Sequence, residues 1–129
     1  MTLTTSTPRL SITRGDVWWV DFDPSKGQEQ RKQRPAVVMN PASVGRLRLH
    51  IVVPITSWQP HFASHFWLVY LPADTINNLP NDSAADAFQV RSLSEIRFVN
   101  KIGILTPAQL DDISAAVAVC VGYTPPSSP

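Results

Sequence analysis

The chain has 129 residues, 43% apolar and 16% charged, a composition that predicts one globular domain. Its net charge of +1 excludes a protein that attracts polyanions over its whole surface. Cys120 is the single cysteine, so an internal disulfide is excluded and a reducing, cytoplasmic location is expected. No apolar run approaches the roughly 20 residues of a membrane span, so no membrane association is expected.

The charge is distributed unevenly along the chain. Residues 1–60 hold eight Lys or Arg against four Asp or Glu, whereas residues 61–129 hold three against six. This asymmetry predicts one basic face that attracts phosphates locally. The alternative is two mixed faces, because halves of a sequence need not be halves of a fold.

Thr, Ser and Pro dominate both ends of the chain, which predicts flexible tails at 1–12 and 124–129 around one domain at 13–123. Within the domain, alternating segments rich in aromatic and β-branched residues predict six strands. In chain order they are RGDVWWVDFDP, PAVVMNP, LRLHIVVPITS, HFWLVYLP, AADAFQVRSL and FVNKIGIL. The turn around SLSEIRF is compatible with a short helix.

The last element is predicted to be a helix. Thr106 and Gln109 have the spacing of a capping box, with proline at the first helical position. Leu110 and Ile113 begin an apolar face, on which Cys120 is expected to be a small core residue, and a glycine follows as a stop. Short antiparallel strands before one helix predict a β-dominated α+β fold, a small barrel of strongly bent strands with the helix packed on it.

A cationic loop precedes the second strand, in the segment KGQEQRKQRPAVVMN. Arg34 stands directly before Pro35, which fixes its backbone, and a pre-aimed guanidinium suits a phosphate through two parallel donors. Glu29 could pair with Arg34 merely to fasten the loop, or it could hold that guanidinium toward a cleft. The other cations of the loop either help to bind an anion or are simply exposed to solvent. They are Lys26, Arg31 and Lys32.

Thr56 ends the apolar run IVVPIT and is a second candidate for a functional site. The alternative is that its hydroxyl caps a turn at the end of the strand. Trp58 and Phe62 follow in a loop whose aromatic rings could stack on bases or pack onto the barrel. The histidines and Cys120 lack the spacing of zinc ligands, so no metal and no cofactor are expected. For His61 and His65, two exposed loop histidines are favoured over an acid–base pair.

These motifs together resemble the MazF/PemK-type toxins, small endoribonucleases of toxin–antitoxin pairs. The shared pattern is a Gly-Asp strand opening, D-x-x-P, G-x-E-Q-x-x-x-R-P and a strand closing on Ile-Thr, and the resemblance covers residues 14–122. It implies an SH3-like barrel, a homodimer and sequence-specific, metal-independent cleavage of single-stranded mRNA. The implied products are a 2′,3′-cyclic phosphate and a 5′-hydroxyl. It also implies a cytoplasmic antitoxin partner and DNA binding by the toxin–antitoxin complex.

The resemblance also assigns residues. The family's catalytic arginine, threonine and loop glutamate fall on Arg34, Thr56 and Glu29. The stretch Gln89, Val90, Arg91, Ser92 matches the family's Q-[VI]-[RK]-[ST]. The residues expected to contact RNA are Lys26, Gln30, Arg31, Lys32, Ser57, Trp58, Gln89, Arg91 and Ser92.

Two positions depart from the family pattern. Many members carry an acid directly before the glutamine, where this chain has Phe88; Asp86 lies two residues earlier and is expected on the same side of a strand. The loop segment that often contains glycine reads RKQ here. Phe88 therefore keeps open a member that binds RNA or antitoxin without cleaving. A gyrase-binding toxin of the CcdB type, which shares the barrel, is the other alternative.

Overall fold

The computed structural model describes residues 11–22, 33–45 and 48–124, and the predicted tails lie almost entirely outside these ranges. The described chain forms seven strands, one α-helix and three 3₁₀ turns. The strands are β1 (Asp16–Asp21), β2 (Gln33–Val38), β3 (Leu49–Ser57), β4 (Leu68–Leu71), β5 (Ser83–Asp86), β6 (Arg91–Ser94) and β7 (Phe98–Ile104). The helix α1 is Pro107–Cys120, and the 3₁₀ turns are Pro60–Ser64, Ala87–Gln89 and Glu95–Arg97.

One bent antiparallel sheet connects all seven strands. Six of them are neighbours in the order β4-β5-β3-β2-β1-β7, and the seventh, β6, pairs with another part of β3. Strand β3 has three partners along its length. Its start pairs with β6 from Leu49 to Val52, its middle pairs with β2 from Val52 to Pro54, and its end pairs with β5 from Ile55 to Ser57. The predicted small, β-dominated architecture with a terminal helix is confirmed.

The fifth predicted strand is wrong in one respect, because two strands stand where one was expected. β5 ends at Asp86, and the 3₁₀ turn Ala87–Gln89 separates it from β6. The reason is tertiary: β5 pairs with the end of β3 and with β4, whereas β6 pairs with the start of β3. The turn lets one segment reach both places. The short helix expected near SLSEIRF is present as the 3₁₀ turn Glu95–Arg97.

The sheet buries apolar side chains on both faces. Because side chains alternate along a strand, Val37 and Val53 enter one cluster while Ala36 and Val52 enter the other. The first cluster also contains Leu110 and Ile113 of α1, so the helix covers that face. The second cluster is centred on Trp18 and Phe98, whose rings meet edge to face with centroids 5.7 Å apart.

The helix begins as predicted. The Thr106 hydroxyl accepts the Gln109 N–H at 3.2 Å, and the Gln109 side chain accepts the Thr106 N–H at 2.9 Å, which completes the capping box. Leu110, Ile113 and Ala116 are its buried residues, and the glycine that follows has φ +82°. In the part of the chain that the structure covers, no helix has the length and apolar character needed to cross a membrane.

Candidate active site

Arg34 and Thr56 come together where β2 and β3 separate. The two strands are in register from Val38–Val52 to Ala36–Pro54, and beyond Pro54 the pairing of β3 passes to β5. Arg34 lies two residues before Ala36 and Thr56 two residues after Pro54, so both continue the same face of the sheet. The parting of the strands leaves space between them.

That space is a cavity of about 260 Å³. We call it the polar cavity. Its lining includes Arg34 and Thr56, together with the polar side chains of Asp86 and Gln89 and the indole of Trp67. Pro54, Phe62 and Leu68 complete the lining. Thus two of the three predicted catalytic residues, and one predicted RNA contact, share one opening in the fold.

Arg34 is exposed and its backbone is held by the sheet. It pairs with Val20 of β1, and the following proline pairs with Trp19. Within the described ranges, no hydrogen bond or ion pair engages the Arg34 guanidinium. A fixed backbone and an unneutralised charge suit this side chain to bind an anion at the cavity.

Asp86 supplies the carboxylate in the polar cavity, a possibility that the sequence left open. Its Oδ2 accepts a hydrogen bond of 2.8 Å from the Gln89 amide. Its Oδ1 is buried and has no hydrogen-bond partner in the described part of the chain. The Gln89 amide therefore orients Asp86, and one carboxylate oxygen is left to accept a proton or a hydroxyl hydrogen bond. The expectation that Asp86 and Phe88 lie on the same side of one strand is wrong, because β5 ends at Asp86, and Phe88 lies in the 3₁₀ turn that follows and does not line the polar cavity.

Trp67 was missed because no local motif marks it. It reaches the cavity through the packing of β4 onto β5, in which Leu68 pairs with Asp86. The imidazole of His65 stacks on the Trp67 ring with centroids 4.6 Å apart and planes 25° apart. His65 is thus an aromatic support, and His61 is exposed with its ring 4.7 Å from that of Phe62.

Four of the predicted RNA contacts do not line the polar cavity. Trp58 packs edge to face on Tyr70 and Phe62, at 4.8 and 5.8 Å, and so supports a wall of the cavity. The Arg91 guanidinium lies over the Phe22 ring, 5.5 Å from its centroid. Ser57 and Ser92 are exposed strand residues that pair with Ser83 and Ile51. Their contact with RNA stays a prediction.

The remaining predictions fall outside the described residues. They are Glu29, Lys26, Gln30, Arg31 and Lys32. Their roles therefore stay predictions. Among the residues that are described, no group of three or more His, Cys, Asp or Glu side chains is arranged to hold a metal ion.

Cys120 is not the core residue that the helical pattern predicted. Its side chain is half-buried and lines a second cavity next to the polar one. Burial, and to a smaller degree the negative charge of Asp86, raise the pKa of its thiol. The thiol is therefore protonated at neutral pH, which makes it a poor nucleophile.

With this geometry described, comparison with known proteins identifies the family. The pattern of the PemK-like, MazF-like toxins of type II toxin–antitoxin systems matches residues 13–121. The chain belongs to the PemK/MazF toxin family. This confirms the resemblance read from the sequence. Curated relatives are named as endoribonucleases, and two of them align with this PemK/MazF chain over most of its length.

Endoribonuclease MazF9 of Mycobacterium tuberculosis is 36% identical over an alignment of 112 residues, and the alignment covers 82% of this chain and 92% of the relative. Endoribonuclease toxin MazF of Escherichia coli K12 is 34% identical over 110 residues, 84% of this chain and 92% of the relative. Both alignments include the polar cavity, since each spans more than four-fifths of the chain.

Solved structures confirm the PemK/MazF fold. MazF from Deinococcus radiodurans superposes with a TM-score of 0.68 at 26% identity and covers 86% of this chain and 96% of its own. A MazE–MazF complex from the same organism gives a TM-score of 0.71 at 25% identity, with 87% and 96% covered. The bent, barrel-like sheet with one C-terminal helix is therefore the family architecture.

Proposed function

We propose that this chain is a toxin that cleaves single-stranded RNA at a phosphodiester bound in the polar cavity. The observation that carries the proposal is the convergence of Arg34 and Thr56, which are distant in sequence, on one cavity beside Asp86 and Gln89. The relatives' endoribonuclease activity supports the same reaction. Cleavage proceeds by attack of the 2′-hydroxyl on the adjacent phosphorus and departure of the 5′-oxygen, leaving a 2′,3′-cyclic phosphate and a 5′-hydroxyl.

Arg34 binds the non-bridging oxygens and stabilises the charge that develops on them. It is not the base, because a guanidinium keeps its proton at physiological pH. Thr56 donates a hydrogen bond to a non-bridging oxygen. These two groups act by charge and orientation, so the reaction requires no metal ion.

A carboxylate accepts the proton of the 2′-hydroxyl, and solvent water gives a proton to the departing 5′-oxygen, which becomes the 5′-hydroxyl. Asp86 has the position for this, with one oxygen held by Gln89 and the other without a hydrogen-bond partner among the described residues. Glu29 is the alternative assigned by family resemblance, either as base or as the residue that orients Arg34.

Asp86→Asn and Glu29→Gln distinguish these roles. The variant that removes the base should slow cleavage about 10²-fold or more and flatten the acid limb of the rate–pH profile. The variant that removes only an orienting group should retain the limb. If both variants keep the limb and the wild-type rate, a carboxylate base is excluded.

The toxin is further proposed to act in the cytoplasm as a homodimer, neutralised by an antitoxin with which it binds DNA for autoregulation. A complex of the structurally similar D. radiodurans MazF with MazE supports the antitoxin partner. The asymmetry of charge along the chain supports an acidic partner segment at the basic face.

The experiment that tests the proposal is incubation of purified protein with a long, defined RNA in EDTA. We expect discrete cuts whose downstream fragments accept a 5′-phosphate directly from a kinase, as 5′-hydroxyl ends do. Binding of the RNA without cuts would overturn the nuclease and favour the binding-only alternative. Cuts that require added Mg²⁺ would overturn the metal-independent mechanism.

A further inference from the structure

A second cavity, of about 340 Å³, lies beside the polar one. We call it the aromatic cavity. Its lining contains no charged side chain and consists of Phe66, Trp67, Phe88, Val119 and Cys120. Phe66 is 55% exposed and Phe88 is 69% exposed. Clustered exposed aromatic rings at a cavity are typical of a binding site, because water contact with them is unfavourable.

Trp67 connects the two cavities, since it lines both. Its ring meets Phe66 edge to face at 5.2 Å and lies 6.4 Å from the Phe88 ring, at a tilt of 52°. His65 stacks against it and supports its orientation. Asp86 of the polar cavity is close enough for its charge to influence Cys120 of the aromatic cavity. The two cavities therefore adjoin each other at Trp67.

We propose that the aromatic cavity is a stacking site for the unpaired base of the nucleotide next to the scissile phosphate. This rests on the proposed function, which places the phosphate in the polar cavity. The base is covalently tied to that phosphate through its ribose, so it must lie close by. Phe88 offers an exposed ring in the cavity that adjoins the polar one, and single-stranded RNA is bound by stacking of its bases on such rings.

The size of the cavity favours a base over a protein partner. Its volume of about 340 Å³ falls in the range of small-molecule pockets, roughly 300–1,000 Å³, which suits a single planar base. Stacking also explains the apolar lining, because every base presents an aromatic face and needs no hydrogen bond to use it. The site contributes affinity at one nucleotide position, while hydrogen bonds elsewhere discriminate among bases.

The test combines a variant of the protein with a variant of the RNA. Phe88→Ala removes the exposed ring, Phe88→Tyr retains it, and Ile96→Ala removes an 87% exposed side chain on the 3₁₀ turn Glu95–Arg97 as the matched control. Each is assayed on an oligoribonucleotide containing a mapped cut site, and on the same oligonucleotide lacking the base on one side of the cut.

On the intact oligonucleotide, Phe88→Ala should lower kcat/KM roughly five- to a hundredfold, mainly through KM. On the abasic oligonucleotide it should cause no further loss, and Phe88→Tyr should restore activity. An equal loss on both oligonucleotides, or no loss on either, would overturn the stacking site. A loss that accompanies dissociation of a dimer in sedimentation, or only weaker antitoxin binding, would overturn it in favour of a protein occupant.

A binding assay separates this proposal from the proposed function. Wild-type protein and Phe88→Ala are titrated with non-cleavable 2′-O-methyl versions of both oligonucleotides. Base-dependent binding through Phe88 without any cleavage of normal RNA would sustain the stacking site and overturn the nuclease. Cleavage without base-dependent binding would sustain the nuclease and overturn the stacking site.

Discussion

The two cavities on either side of Trp67 differ in almost every property of their linings. The polar cavity holds the arginine, hydroxyl, carboxylate and amide that phosphate chemistry needs. The aromatic cavity holds three aromatic rings, a valine and a protonated thiol. They differ also in origin, since strands β2, β3 and β5 position the first, whereas the end of α1 helps to form the second. The proposed separation of reaction and base binding rests on this contrast, and variants can disturb the two cavities one at a time.

The largest effect is expected from Arg34→Ala in the polar cavity. Loss of a charged donor to the transition state should slow cleavage about 10²–10³-fold. The circular dichroism spectrum should not change, because the side chain is exposed and makes no described hydrogen bond. Arg97→Ala, on the 3₁₀ turn before β7, is the matched control and should retain wild-type rates. Undiminished cleavage by folded Arg34→Ala would remove the centre of the mechanism.

A smaller effect is expected from Thr56→Val, which keeps the shape of the side chain and removes its hydroxyl. A hydrogen bond to a charged group is worth about 1.5–3 kcal/mol, so cleavage should slow by roughly ten- to a hundredfold. The loss should appear in kcat for oligonucleotides with and without the neighbouring base. Thr75→Val, in an exposed loop, is the control. A wild-type kcat in Thr56→Val would restrict Thr56 to a structural role in β3.

Thr106→Ala tests the stability of the helix whose C-terminal end contributes to the aromatic cavity. Loss of the capping hydroxyl should lower the free energy of unfolding by about 1 kcal/mol, measured in urea. Cleavage well below the melting temperature should stay at the wild-type rate, because the helix is still folded there and Thr106 lines neither cavity. An unchanged midpoint with an unchanged denaturant slope would mean that the capping box contributes nothing to stability.

The smallest effect concerns Cys120. Its pKa is raised by burial and by Asp86, so less thiolate is present at pH 8 than for an ordinary cysteine, and alkylation should be slow. Asp86→Asn removes the negative charge, lowers the thiol pKa and should accelerate alkylation measurably, whereas Asp112→Asn on the exposed face of α1 should not. Equal rates in all three proteins would mean that the charge of Asp86 does not influence the aromatic cavity.

Local sequence signals predicted the elements that local interactions determine. The helix followed from Thr106, Gln109 and the spacing of Leu110 and Ile113, since capping and an amphipathic face lie within one segment. The convergence of Arg34 and Thr56 was expected only through family resemblance, because it depends on the register between β2 and β3.

The rest depended on contacts between distant segments. The division of β5 from β6 follows from the three partners of β3, and the sequence around Phe88 contains no glycine or proline to mark it. Trp67 reaches the cavity through strand pairing, which no motif reports. Phe88 stands where many family members have an acid, but the sequence alone did not show that its ring would line the aromatic cavity.

The in-register pairing of Ala36 with Pro54 has a consequence for how such a protein can diversify. Because successive strand residues point to opposite faces, inserting or deleting one residue within β2 or the middle of β3 would turn Arg34 or Thr56 away from the other. Length changes that preserve both groups are therefore confined to the segments between strands, such as residues 58–67 and 72–82. New RNA preferences would arise there by insertion, while the two strands accept only substitution.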